Sequence, residues 1–225
     1  MIELDGIRHH LLAIPWLALD EGTIAVIGAN GSGKTTLLEL CAGIEVPQRG
    51  SVRIDESEPR SCEVGWVCEF PDKNLLFERV RDEIASPLRF TFVDEAGIAD
   101  RVARICDRLA ISPLLERRTA GLSGGEKALV ALATALIVHP RVLVIDEADS
   151  HLDAAAAQRM YECAREVRPP HLLFCTQDMH RAAEADRVLF LADGRVGAYG
   201  TPDDVFFALQ ETCFYPPLWR LARCA

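Results

Sequence analysis

Basic charge is scarce in this chain of 225 residues, and what is scarce narrows what the chain can do. Lys and Arg number 24 against 34 Asp and Glu, leaving a net charge of −10. That balance argues against a nucleic-acid backbone as the main partner. It leaves room for a nucleotide, which needs only local amides and one cation. No C-x-x-C pair occurs among the eight cysteines (Cys41, Cys62, Cys68, Cys106, Cys163, Cys175, Cys213 and Cys224). They read as reduced thiols, and neither a disulfide scaffold nor a zinc site is expected from them. The start, Met1-Ile2-Glu3-Leu4-Asp5, lacks the basic flank and apolar core of a signal peptide. The longest apolar-rich stretch, Ala128 to Val138, is too short to span a bilayer and contains Thr134. A soluble, cytoplasmic chain is expected, connected to a membrane only through a partner. Its length suits one large α/β domain, alone or with a subdomain.

Against this background one lysine stands out. Gly28-Ala29-Asn30-Gly31-Ser32-Gly33-Lys34-Thr35 fits G-x-x-x-x-G-K-[ST]. Thr23 to Ile27, apolar and β-branched, precedes it as a buried strand. Thr36 to Ala42 follows as a helix. Glycines in such a turn let backbone N–H groups curl around an anion, and the helix N-terminus adds partial positive charge. Lys34 is placed to reach the β- and γ-phosphates, and the Thr35 hydroxyl to ligate Mg²⁺.

Other segments read as an alternating α/β chain. Leu12–Leu19 is strand-like, with Pro15 marking an edge or bulge. Ser51–Ile54, Val64–Val67, Val142–Ile145, Leu172–Cys175, Val188–Leu191 and Val196–Tyr199 read as further strands. Val80–Ala85, Asp94–Ala110 and Pro113–Arg118 read as helical, with Ile98, Val102, Ile105 and Leu109 at helical spacing. Residues 72–122 thus form a helical insertion. Glu126–Val138 and Ala154–Val167 are two more helices. No repeats, low-complexity tracts or flexible linkers interrupt the chain.

Two further motifs carry chemistry. Asp146-Glu147 follows the fully apolar Val142–Ile145 run, and a carboxylate at the C-terminal end of a buried parallel strand sits where α/β sheets bind ligands. Beside a phosphate loop, Asp146 reads as the Mg²⁺ carboxylate and Glu147 as general base for an attacking water. An acidic helix start is the plainer reading of the pair. Leu122-Ser123-Gly124-Gly125-Glu126 has the spacing of a capping box. Its two glycines also expose amides at a helix N-terminus, a second anion site.

With these motifs in this order and spacing, the chain resembles the ATP-binding-cassette ATPases over nearly its whole length. Asp149-Ser150-His151-Leu152-Asp153 stands in the place of that family's D-loop. The resemblance implies a single domain, 1–225, with a P-loop NTPase α/β core of parallel strands, an antiparallel β-subdomain and a helical subdomain. It implies that ATP is held by Asn30, Gly31, Ser32, Gly33, Lys34, Thr35 and Thr36. It further implies head-to-tail dimers, so that Ser123, Gly124 and Gly125 face the nucleotide of a second chain. A narrower similarity, to energy-coupling-factor and cobalt-type ATPases, rests on Glu69-Phe70-Pro71-Asp72-Lys73-Asn74-Leu75, on Val80 to Ala85, and on the tail Gly200–Phe206 and Pro216–Ala222. It implies a transmembrane coupling subunit and a peripheral position on the inner face of the cell membrane.

The pattern is not complete. Glu69 stands for the Q-loop glutamine, and Gln177, in Thr176-Gln177-Asp178, for the switch histidine. Glutamate still ligates Mg²⁺ but adds negative charge near the γ-phosphate. Glutamine still donates a hydrogen bond but cannot become a cation. Both changes weaken hydrolysis more than binding, and they favour a heterodimer with a second cassette chain that has the usual Gln and His. His180 is expected on a solvated helix face. His10 offers an adenine stack, or His9 and His10 form a surface pair. The acids Asp72, Glu78, Asp82 and Glu83 form either a solvated helix start or a groove for a basic helix of a membrane partner. The expected function is an importer ATPase. The alternatives are a non-transport cassette of DNA repair or translation and a regulatory ATP-binding module with weak hydrolysis.

Overall fold

The computed structural model describes residues 1–71, 75–90, 93–150 and 152–219. Expectations placed on 72–74, His151 and 220–222 fall outside the described residues. The chain divides into two compact units, one of Met1–Cys62 with the chain from Pro170 onward, the other of Glu63–Pro169.

In the first unit, β1 (Ile2–His9), β2 (Leu12–Leu19) and β4 (Arg49–Ile54) form an antiparallel sheet of order β2-β1-β4. Pro15 is exposed on the edge strand β2, where its missing N–H costs no ladder bond. The sequence reading left β1 out. Its Ile2 and Leu4 are buried in strict alternation, then the register shifts and Ile7 and His9 take over the inward positions. This break in the period of two hides the strand from a pattern search. The unit's other strands centre on β3 (Gly22–Ile27), which lies parallel to β7 (His171–Cys175) on one side and to β8 (Arg187–Ala192) on the other. β9 (Arg195–Gly200) pairs antiparallel with β8. Ile24–Ile27 and Leu172–Cys175 are buried throughout, the apolar runs that a parallel sheet covered on both faces requires. Helices α1 (Lys34–Cys41), α6 (Met179–Ala183) and α7 (Pro202–Ala208) complete this unit.

The second unit holds the parallel pair β5 (Val64–Val67) and β6 (Val142–Asp146) and the helices α2 (Val80–Arg89), α3 (Glu95–Arg108), α4 (Gly124–Leu136) and α5 (Ala154–Val167). The stripe Ile98, Val102, Ile105 and Leu109 is buried as its spacing predicts, and Asp94 caps α3 by accepting from Gly97 N at 2.9 Å. Helix α2 outruns its expected end at Ala85 and passes through Pro87. Proline removes the N–H that would reach Glu83 O. The Ser86 hydroxyl donates to that carbonyl instead, at 2.8 Å. The helix expected at Pro113–Arg118 is a correction: only a 3₁₀ turn forms, at Ser112–Leu114. The carbonyls that a helix would use internally serve α2, whose free first-turn donors need acceptors. Val80 N donates to Arg117 O at 3.2 Å and Arg81 N to Leu115 O at 3.1 Å.

Candidate functional site

Strand β3 delivers the chain into the loop Gly28–Gly33, and α1 starts at Lys34. Gly28 has φ 151°, and a Cβ there would lie 2.2 Å from Leu191 O, so only glycine fits where the loop leaves the sheet. Gly33, the left-handed N-cap, supplies no side-chain cap. The first amides of α1 are therefore left for an anion. Lys34 is 6% exposed; its ammonium folds back over the loop and donates to Gly28 O at 3.1 Å and Ala29 O at 3.2 Å. Ser32 N donates to Ala29 O at 3.1 Å, and Ser32 O accepts from Gly194 N at 3.1 Å, tying the loop to the β8–β9 turn. Ser32 Oγ is buried with no hydrogen-bond partner among the described residues, a polar group turned into the cradle. Asn30, Gly31 and Thr35 are exposed and Thr36 is half-buried. These residues form one loop that presents amides, a cation and hydroxyls.

At the C-terminal end of β7, Thr176 is buried and Gln177 exposed. Asp178 accepts from His180 N at 2.9 Å and Arg181 N at 3.4 Å, capping α6. His180 thus sits in the first turn of α6, half-buried. The histidine pair needs correction. His9 is turned inward, 6% exposed, with Nε2 hydrogen-bonded to Glu45. Of the pair, only His10 is open to solvent, with φ 46°.

In the second unit, β6 ends in Asp146, 7% exposed, and Glu147 follows half-buried with φ 48°. A left-handed non-glycine residue stores strain. It aims Glu147 differently from an extended continuation of the strand. Ser150 N returns to Glu147 O at 3.0 Å, and Asp153 caps α5 by accepting from Ala156 N at 2.8 Å. Glu69 is half-buried just beyond β5.

Ser123 caps α4 as its spacing predicts. Its hydroxyl accepts from Glu126 N at 3.3 Å, while its own N donates to Glu126 Oε2 at 2.8 Å. The bond from the Ser123 backbone, with Arg117 at 2.7 Å behind it, holds the Glu126 carboxyl below the usual carboxylate range. This carboxylate and Arg117 fix the exposed Ser123 and Gly124 at the tip of the helix. The sequence offered no sign of Arg117.

Glu83 departs from both readings of the acidic segment. It is buried and accepts from Leu76 N and Phe77 N, both at 2.7 Å, so it braces the turn before α2. Asp82 pairs with Arg89 at 2.7 Å and Glu78 with Arg118 at 3.2 Å. Of the four acids, these three are engaged within the unit, and Asp72 lies outside the described residues.

The family model described as ABC transporter matches residues 17–150. The energy-coupling factor transporter ATP-binding protein EcfA1 of Streptococcus pyogenes is 31% identical over 214 residues, covering 90% of this chain and 74% of the relative. Its namesake from Lacticaseibacillus paracasei is 34% identical over 193 residues, covering 81% and 69%. Among solved structures, cbiO1 from Clostridium perfringens, described as part of the ABC transporter complex cbiONQ, aligns with a TM-score of 0.83 at 25% identity, over 93% of this chain and 91% of that one. A dimeric bacterial ABC transporter cassette aligns with a TM-score of 0.79 over 90% and 99%; at 21% identity this likeness concerns the fold alone.

Proposed function

The chain belongs to the ABC transporter family, and on that premise we propose that it is the ATPase subunit of an importer of the energy-coupling-factor type. It is an ATP-binding, ATP-hydrolysing protein. The observation that carries the reading is the Gly28–Gly33 loop with the Lys34 ammonium folded across it. Phosphate oxygens replace the two carbonyls as acceptors of that cation, and the α1 amides and Ser32 Oγ complete the cradle.

Mg²⁺ fits the remaining donors, because Thr35, Asp146 and Glu69 offer a hydroxyl and carboxylates, the hard oxygen set that Mg²⁺ selects. When bound, the ion would neutralise phosphate charge. Glu147 takes the proton of the attacking water, and Gln177 donates to the γ-phosphate without contributing a charge. Ser123, Gly124 and Gly125 face the nucleotide of a second cassette chain in a head-to-tail dimer. Because Gln177 and Glu69 weaken this chain's own site while the Leu122–Glu126 signature is intact, the second chain is a different one. A transmembrane coupling subunit receives the motion of closing and reopening, and the dimer works on the cytoplasmic face of the cell membrane. The transported molecule is a vitamin or metal ion.

A second reading, a regulatory ATP-binding module that scarcely hydrolyses, is favoured by the same Gln177 and Glu69. Purification from native membranes separates the two. An importer subunit co-purifies with a second cassette chain and a membrane protein, and the assembly hydrolyses ATP. A soluble chain that comes alone, binds ATP and does not turn it over supports the regulatory module.

A further inference from the structure

The turn between β1 and β2 brings two imidazoles and a carboxylate together, none of them a residue of the phosphate loop. Consecutive residues of a strand point to opposite faces. His9 continues the inward alternation of Ile7, so His10 should point away. Its left-handed backbone, φ 46°, brings it back instead, and the two ring centroids lie 4.3 Å apart. Both rings turn Nε2 to the same oxygen. His9 Nε2 is hydrogen-bonded to Glu45 Oε2, and His10 Nε2 lies 3.8 Å from it. One nitrogen from each ring and a carboxylate oxygen all fall within 4.8 Å of one another. Glu45 follows α1, where Ile44 N and Glu45 N both donate to Glu39 O, at 3.0 and 3.3 Å. Two separately braced pieces of backbone therefore converge. The bond from His9 holds the Glu45 carboxyl below its ordinary range, with the charges of His9 and His10 adding to the effect, so it stands ready as an anion.

We propose that His9, His10 and Glu45 form a binding site for a borderline divalent cation of the zinc class. Two imidazoles and one carboxylate suit such ions and do not suit Mg²⁺ or Ca²⁺, which take oxygen. Bonds of about 2.0–2.2 Å to a tetrahedral ion separate its ligands by about 3.4 Å. His10 must close by a few tenths of an ångström and the His9–Glu45 pair must open. His10 and Glu45 are free to do this, with side chains 61% and 38% exposed, while buried His9 stays fixed. Water takes the fourth position. His9 Nδ1 is buried with no partner among the described residues, so no second group holds the ring from behind. The lack of such an outer partner typically costs about 10–100-fold in affinity, and places this site below a closed structural zinc centre.

The test uses nucleotide-free protein. Zn²⁺ is titrated into the full chain at neutral pH while the imidazole nitrogens are followed by ¹H–¹⁵N NMR and the heat by calorimetry. One equivalent should shift the Nε2 signals of His9 and His10 together, and millimolar Mg²⁺ should shift neither. His10→Ala and Glu45→Gln alter exposed side chains and should each weaken Zn²⁺ binding at least tenfold without changing the thermal midpoint of the metal-free protein by more than a degree or two. Buried His9 is left intact, so a folding defect cannot masquerade as lost binding. If Zn²⁺ leaves both imidazoles unshifted, or if the two variants bind it as the parent does, the cluster is an ion pair only.

Discussion

Lys34 shows how far residue identity alone can be read. It is one of three lysines in the chain, and the glycine spacing around it marks it as the candidate cation of a phosphate loop. Its rest position on Gly28 O and Ala29 O was not readable, because those carbonyls are acceptors that every residue carries. Lys34→Ala removes charge-assisted bonds worth about 1.5–3 kcal/mol each. ATP affinity should fall at least tenfold in a calorimetric titration, and unchanged affinity would remove the loop from the site. Gln177 belongs to the same scale. It is exposed beyond β7, beside an Asp178 already committed to capping α6. Gln177→His restores a side chain that can carry a proton, so turnover by the isolated chain should rise severalfold. A steady-state assay in which the variant matches the parent would mean that an uncharged donor suffices. Glu83 and His9 mark the limit of this reading. Each is a polar residue whose partners lie on other segments, and no spacing in the sequence points to Leu76, Phe77 or Glu45.

At the scale of elements, the pattern was legible where one helix face is apolar, as in α3 and α5, and where a strand is apolar throughout, as in β6 and β7. It failed where another force sets the boundary. β1 changes register midway, α2 survives Pro87 through the Ser86 hydroxyl, and the segment after Leu114 gives its carbonyls to α2 instead of closing its own helix. α4 begins at Gly124, two residues ahead of its expected start and directly after its Ser123 cap. One close approach between elements makes a clean test. A Cβ on Gly65 of β5 would lie 2.6 Å from Ala135 O of α4 and 3.0 Å from a Leu143 methyl. Backbone cannot yield as a side-chain tip does. Gly65→Ala should therefore destabilise the chain by about 1–3 kcal/mol, the usual penalty for overpacking. Thermal unfolding followed by circular dichroism should show a midpoint lowered by several degrees, and an unchanged midpoint would mean that β5 shifts at no cost.

For the whole molecule, a net charge of −10 and three separated motifs sufficed to expect an ATP-powered cassette, while its partner chain is written in no motif. The proposal of a heterodimer rests on what Glu69 and Gln177 lack. Glu147→Gln should slow hydrolysis by about 10²–10⁴, the usual worth of a general base, while ATP stays bound. With MgATP and a cassette partner, size-exclusion chromatography should then show a stable dimer. A variant that remains monomeric, alone and with the partner, would overturn the shared site. The last consequence belongs to β3, which carries the loop between β7 and β8 with Ile24–Ile27 buried throughout. Its amides are released only when the protein opens globally, so in deuterium exchange they should be among the slowest in the chain, with or without ATP. Equal protection in both states would mean that the foundation of the loop keeps its shape when ATP binds. On that expectation the strand is the stationary anvil beneath the loop.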